Sequence, residues 1–205
     1  MPVTTSLHHL DDRLMYAVNR LTRATPALHG AVLDFATYGI AVFLVLLLAA
    51  LLVARQRSSR DLAATGWTAL AALLALALNQ PLGHLVREPR PYAVHPQLLR
   101  LADVTSDFSF PSDHAVMAGA VAAGLLIAHR RLGAVAVVAA LVMAFSRVYV
   151  GAHYPWDVVA GLLFGSLVAL GGWLLLRQPL TAATAWLRSA PGVRSVFGEA
   201  SVAVG

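Results

Sequence analysis

Three short clusters in this chain carry the residue types that bind and transfer phosphoryl groups. The richest is Ser146-Arg147 followed by His153 and Asp157, in the spacing S-R-x5-H-x3-D. A guanidinium holds two phosphate oxygens through parallel hydrogen bonds. An imidazole four residues before a carboxylate can be oriented by it and used as nucleophile or base. The second cluster is Arg87-Glu88-Pro89-Arg90-Pro91-Tyr92, whose prolines stop a helix and stiffen the backbone that aims Arg90. The third is Pro111-Ser112-Asp113-His114, where Ser112 or Asp113 can cap a helix whose free N–H groups form an anion site. Each cluster alone also has an ordinary structural reading, as an interfacial arginine, a first-turn histidine or an acid at a helix N-terminus. Their occurrence together, in order and on one face, points to a phosphoryl-transfer site.

The elements that must position these residues are apolar. The chain has 205 residues, of which 59% are hydrophobic and 12% charged, with mean hydropathy +0.71. A soluble domain carries about 25% charged residues, so the composition predicts an all-α, polytopic membrane helix bundle of one domain. Five apolar segments are expected at 30–54, 62–86, 113–129, 132–149 and 156–177. The third is short for a span of roughly 20 residues, so either its first turn belongs to the site or it packs against neighbours. Gly119 with Ala123, and Ala120 with Gly124, give it small-residue faces for close helix contact. Leu7, Leu10, Leu14, Val18 and Leu21 recur at helical spacing among polar residues, which predicts an amphipathic interfacial helix within 1–27. Residues 178–205, with Pro179 and Pro191, are expected to leave the membrane core as a flexible tail with a short amphipathic stretch at 181–189.

Charge placement predicts the topology. All 15 basic residues are arginines, the net charge is +5 and there is no cysteine, which excludes disulfides and thiolate metal sites. Arg55, Arg57 and Arg60, then Arg130 and Arg131, then Arg177, Arg188 and Arg194 occupy connections that five spans place on one side. The positive-inside rule makes that side cytoplasmic. The N-terminus, the loop 87–112 and the connection 149–156 then share the opposite side with all three clusters. The arginines sit at segment ends, so they are read as membrane anchors and phosphate contacts, with no nucleic-acid partner expected. The first 20 residues lack a basic region followed by an apolar run, so no secretory signal is expected.

The clusters together resemble the type 2 phosphatidic acid phosphatase superfamily of membrane lipid phosphatases, whose pattern runs K-x6-R-P, P-S-G-H and S-R-x5-H-x3-D. The third part matches at every specified position; in the second, Asp113 replaces Gly; in the first, Arg90 and Pro91 match but Gly83 stands at the Lys position. The P-S-D-H run, the short length, Leu10-Asp11-Asp12-Arg13-Leu14 and Asn79-Gln80 are similar to the bacitracin-resistance branch of undecaprenyl-diphosphatases. The resemblance implies that His153 attacks phosphorus, that Asp157 holds its ring, and that His114 protonates the leaving oxygen and then activates water. It implies substrate contacts from Arg90, Arg147, Ser112 and backbone N–H groups, with Ser146, Asp113 and Arg87 in the same binding set. Arg87 or His84 is the candidate replacement for the charge missing at Gly83. Asp113 is expected to orient an arginine, cap the third segment, or meet a diphosphate through a water or cation. No cofactor and no metal is implied.

The implied partners are a phosphorylated lipid substrate and membrane lipids, and the oligomeric state is not fixed by sequence. The implied activity is hydrolysis of an undecaprenyl or decaprenyl diphosphate at the extracytoplasmic face of a bacterial inner membrane, with the C-terminus cytoplasmic. The alternatives are a phosphatidic acid or phosphatidylglycerol phosphate phosphatase and, in another class, a catalytically weak lipid-phosphate-binding or transport protein.

Overall fold

Helix follows helix along the chain, as the apolar segments require. The computed structural model describes residues 2–190, with side chains from residue 9 onward. In order these form α1 (Pro2–Ala24), a 3-10 turn (Pro26–Leu28), α2 (His29–Tyr38), α3 (Ile40–Ala54), α4 (Ser59–Val86), α5 (Pro91–Val94), α6 (Asp113–Ala128), α7 (Arg130–Tyr149) and α8 (Pro155–Ser189). Large apolar side chains on the outside of the bundle are exposed, Leu73 at 66%, Val138 at 62% and Leu167 at 67% among them. An exterior this apolar is what a bilayer requires. Three helices among the described residues are long and apolar enough to cross a membrane, and four if α2 with α3 counts as one bent span.

The short third segment lies at the centre. At about 1.5 Å per residue, the 16 residues of α6 fall short of a hydrocarbon core of roughly 30 Å. It is nevertheless almost wholly buried, because α4, α7 and α8 pack around it. Both expected small-residue faces are used. A Cβ on Gly119 would overlap the Leu162 backbone of α8, and one on Gly124 would come within 2.5 Å of Thr68 Oγ1 on α4. α8 answers with its own glycines: a Cβ on Gly161 would sit 2.8 Å from the Ser112 carbonyl. The Trp67 indole N–H of α4 donates to the Ala169 carbonyl of α8 at 2.8 Å, which ties the third side of this packing.

Two boundaries differ from the sequence expectation and one agrees with it. The first apolar segment is not straight: α2 and α3 meet at 53° around Gly39. A Cβ there would overlap the Phe35 carbonyl oxygen, which as backbone cannot give way, and would crowd Met143 Cε on α7. α4 stops at Val86, and Arg87 takes a left-handed conformation (φ 55°) at its C-cap. The expectation of a flexible tail from 178 fails for its first part, since α8 runs unbroken through Pro179 to Ser189. Leu180 packs on the main core and the Arg188 side chain is 4% exposed, donating to the carbonyls of Arg57 at 2.7 Å and Arg55 at 2.9 Å. Those anchors hold the last turns against the α3–α4 connection. The rest of the expected tail, 191–205, lies outside the described residues.

The opposite end of the bundle gathers α1, the loop 87–112 and the connection 150–154. Leu101 and Ala102 N–H both donate to the Val150 carbonyl, at 3.0 and 3.1 Å, and Ser112 N–H donates to the Asp157 carbonyl at 3.2 Å. α1 is strapped across these segments: Thr22 Oγ1 donates to the Tyr149 carbonyl at 2.9 Å, and Asn19 exchanges two hydrogen bonds with Leu99, at 2.8 and 3.2 Å.

Candidate active site

Backbone geometry fixes the nucleophile candidate first. His153 lies in the tight connection between α7 and α8, where Gly151 takes φ +75°, and it is 3% exposed. Its Nδ1 is 2.8 Å from the Ser109 carbonyl oxygen. A carbonyl only accepts, so Nδ1 carries the proton and Nε2 presents its lone pair. Burial, then the guanidinium charges of Arg90 and Arg147, hold the His153 imidazole well below its ordinary value of 6.5, against the hydrogen bond to Ser109. The ring is therefore neutral, as a nucleophile must be.

Asp157 opens α8 and is fully buried. Its Oδ2 accepts from the Tyr154 N–H at 2.9 Å and from the Ser109 hydroxyl, and lies 3.4 Å from His153 Nδ1. The Asp157 carboxylate thus stands within ion-pair range of the ring, and Ser109 adds a second link, binding the ring through its carbonyl and the carboxylate through its hydroxyl. Nothing in the periodicity of the loop marked this serine.

Arg90 reaches His153 from the other side. Pro91 keeps Arg90 extended (ψ 151°) at the start of α5, so its side chain turns inward and is 8% exposed. Nη1 donates to the Ala152 carbonyl at 3.0 Å and to His153 Nε2 at 3.1 Å. Nε and Nη2 form a fork on the Asp107 carboxylate, at 3.2 and 2.8 Å. Burial works to raise the Asp107 carboxyl, but hydrogen bonds from Arg90 and Thr105 and the Arg90 charge outweigh it and leave it below the usual carboxylate value. Asp107 was missed in the sequence; the available signal was an acid in the loop joining two arginine- and histidine-bearing clusters.

The remaining candidates divide. His114, in the first turn of α6, lies within electrostatic range of Arg147, His153 and Arg90. Arg147 donates from Nη1 to the Ala36 carbonyl at 3.0 Å, while its Nε is buried without a hydrogen-bond partner. Ser112 is the N-cap of α6 by position, but its side chain makes no capping bond, and its Oγ is buried and unpartnered. Ser146 is turned back into α7, donating to the Met143 carbonyl at 2.7 Å. Asp113 orients no arginine: its carboxylate accepts from Asn79 Nδ2 at 2.7 Å and from Gln80 Nε2 at 3.2 and 3.3 Å on α4. Arg87 is spent partly on its own helix end, with Nε donating to the His84 carbonyl at 3.0 Å. The helix on which it would have stood a turn before Arg90 has already ended. Arg87, His84, Gly83 and Asp113 instead line a cleft of ≈ 340 Å³ beside Asp107.

The geometry thus offers a neutral imidazole whose Nε2 lone pair is met by the Arg90 guanidinium, a second guanidinium on Arg147, an unpartnered buried hydroxyl at a helix N-terminus and a second histidine nearby. Such a set can bind a tetrahedral anion, attack its central atom and protonate a leaving oxygen.

Known proteins resemble this chain in sequence and in fold. Residues 64–180 match the profile of the PAP2 superfamily. The chain is 30% identical over 161 residues to undecaprenyl-diphosphatase BcrC of Bacillus subtilis (strain 168), covering 78% of this chain and 80% of that one. It is 34% identical over 134 residues to decaprenylphosphoryl-5-phosphoribose phosphatase of Mycobacterium tuberculosis, covering 65% of this chain and 71% of that one. The crystal structure of a transmembrane PAP2-type phosphatidylglycerolphosphate phosphatase from Bacillus subtilis superimposes with TM-score 0.56 over 83% of this chain and 87% of that one, at 19% identity, a likeness of fold.

Proposed function

Because this chain belongs to the PAP2 superfamily, we propose that it is a metal-independent phosphatase that hydrolyses a polyprenyl diphosphate to the monophosphate through a phosphohistidine. The observation that carries the mechanism is the Nδ1–H bond from His153 to the Ser109 carbonyl, which leaves Nε2 as the attacking atom. Arg90 Nη1, now bonded to that lone pair, passes to a phosphate oxygen as the substrate enters. Nε2 attacks the terminal phosphorus, forming the N–P bond while the bond from phosphorus to the bridging oxygen breaks. His114, protonated as the anionic substrate settles beside it, gives that oxygen its proton and the lipid monophosphate leaves. The imidazolium positive charge that develops is met by Asp157 Oδ2, 3.4 Å from Nδ1. His114 then takes a proton from water, whose oxygen attacks phosphorus and releases inorganic phosphate and neutral His153. Arg90, Arg147, the Ser112 hydroxyl and the first N–H groups of α6 bind the equatorial oxygens and stabilise their charge.

The diphosphate is preferred over a glycerolipid phosphate because the relatives of comparable length named above act on prenyl-linked substrates by their names, while the phosphatidylglycerolphosphate phosphatase is alike in fold. The site end of the bundle faces away from the cytoplasm by the arginine distribution, where a lipid keeps its tail in the bilayer while its headgroup enters the cluster.

The test is phosphate release by purified protein in detergent with chelator present. Undecaprenyl diphosphate is compared with phosphatidic acid and phosphatidylglycerol phosphate, with His153→Ala as control. The expected result is preferential release from the prenyl diphosphate and none from the variant. Preference for a glycerolipid replaces the substrate and keeps the chemistry. Normal turnover by His153→Ala removes the proposed nucleophile, and no turnover by a folded wild type would leave a lipid-phosphate-binding protein.

A further inference from the structure

α1 presents three distinct faces. Met15, Asn19 and Thr22 are buried against the loops and α7. Leu10, Leu14 and Leu21 form a second stripe, 46 to 47% exposed. Arg13, Tyr16, Arg20 and Arg23 recur at spacings of three, four and three on the third face. With Asn19 and Gln97 they line a groove of ≈ 650 Å³.

The hydrogen-bond inventory of the groove leaves its positive charge unmatched. Arg23 donates to the Gln97 carbonyl at 2.7 Å and to Asn19 Oδ1 at 3.3 Å. Among the described residues Arg13 uses only Nε, on the His9 carbonyl at 3.3 Å. Arg20 makes no hydrogen bond or ion pair among the described residues. None of the lining residues is acidic. The nearby acids of α1 are turned elsewhere: Asp12 is 3.2 Å from His95 Nε2, and Asp11 accepts from the Trp156 N–H at 2.9 Å. Three guanidiniums opening on one groove repel each other, and an anion between them converts that repulsion into charge-assisted hydrogen bonds.

The leucine stripe decides which anion. A soluble anion has no use for an apolar flank beside its site, whereas a lipid places its phosphate at the headgroup level and its chains against such a flank. The groove also stands at the right level, since Asn19, Tyr16 and Arg23 are bonded to Leu99, His95 and Gln97, in the loop that follows Arg90 and α5. We propose that this groove binds the headgroup phosphate of an anionic membrane lipid, with Arg13 and Arg20 as its ligands and Leu10, Leu14 and Leu21 against its chains. This site is separate from the catalytic centre and does not depend on the reaction carried out there.

The experiment is native mass spectrometry of the full chain in detergent, titrated with phosphatidylglycerol and, in parallel, phosphatidylcholine. Both arginines are exposed, so their replacement is expected to leave thermal unfolding unchanged. Arg13→Gln with Arg20→Gln should weaken phosphatidylglycerol binding roughly 30-fold, about a factor of five for each arginine, while Arg20→Lys retains most of it. The titrations are repeated in Arg90→Ala, because the catalytic centre also takes lipid phosphate. Tight binding that survives Arg90→Ala and is lost in the double variant supports the groove. Undiminished binding in the double variant, loss only in Arg90→Ala, equal binding of phosphatidylcholine, or displacement by inorganic phosphate as readily as by lipid would each overturn it.

Discussion

Ser112 buries its hydroxyl without a hydrogen-bond partner, an arrangement that costs stability unless a ligand accepts the proton. Ser112→Ala should therefore leave the melting temperature unchanged or raise it, while lowering kcat/KM about ten-fold, the loss of roughly 1.5 kcal/mol from one hydrogen bond to a charged group. A parallel fall in stability would place the hydroxyl in the packing instead. His153 makes a prediction of the opposite kind. Its folded-state value is held well below 6.5 by burial and by Arg90 and Arg147, so the unfolded chain takes up a proton that the folded chain refuses. The stability this contributes is fully present above about pH 6.5 and is lost as pH falls below it towards the folded value. Thermal unfolding followed from about pH 7 to pH 5 should show that loss, and His153→Ala should flatten it. Asp113 belongs to the same scale. Bonded to Asn79 and Gln80, it joins α4 to α6.

Among the helices, the site depends on how closely α6 and α8 approach. Ser112 and His114 stand at the start of one, and Asp157 at the start of the other. A Cβ on Gly165 of α8 would overlap the Val116 carbonyl of α6. Backbone cannot give way as a flexible side chain can, so Gly165→Val must push the helices apart, at a cost of roughly 1–3 kcal/mol from overpacking. Phosphate release should fall along with the melting temperature, since His114 and Ser112 move away from His153. Gly171→Ala is the control, because a Cβ there meets nothing within 4 Å, and it should change neither. The connection that holds His153 is fixed by similar means, with Gly151 at φ +75° and the Val150 carbonyl taking two N–H groups from the loop.

At the scale of the molecule, the two ends of the bundle are chemically different. One carries the α1 strap, the loop 87–112 and the proposed catalytic residues. The other carries the α3–α4 connection, locked by Arg188 onto the carbonyls of Arg55 and Arg57. The end whose connections carry Arg55, Arg57, Arg60, Arg130 and Arg131 is proposed to be cytoplasmic. The chain has no cysteine, so single cysteines report sidedness without background. In intact cells, Asp103→Cys should react with a membrane-impermeant thiol reagent and Arg57→Cys should not. The reverse pattern would invert the proposed topology.

The sequence alone determined whatever depends on residue type and short spacing. Hydropathy gave the membrane bundle, the small residues of the third segment gave its close contacts, and the three clusters named Arg90, His114, Arg147, His153 and Asp157. These were legible because helical periodicity and motif spacing act over a few residues. Tertiary structure alone decided what those residues touch. Ser109 lies 44 residues from His153 and Arg90 lies 63 residues from it, and no local pattern encodes a hydrogen bond across such a separation. Ser146 and Asp113 sit inside motifs and yet turn to Met143 and to α4, because a side chain's direction follows from the neighbours that surround it. The continuation of α8 beyond Pro179 has the same origin: Arg188 finds its carbonyl partners on the α3–α4 connection, more than a hundred residues away in sequence.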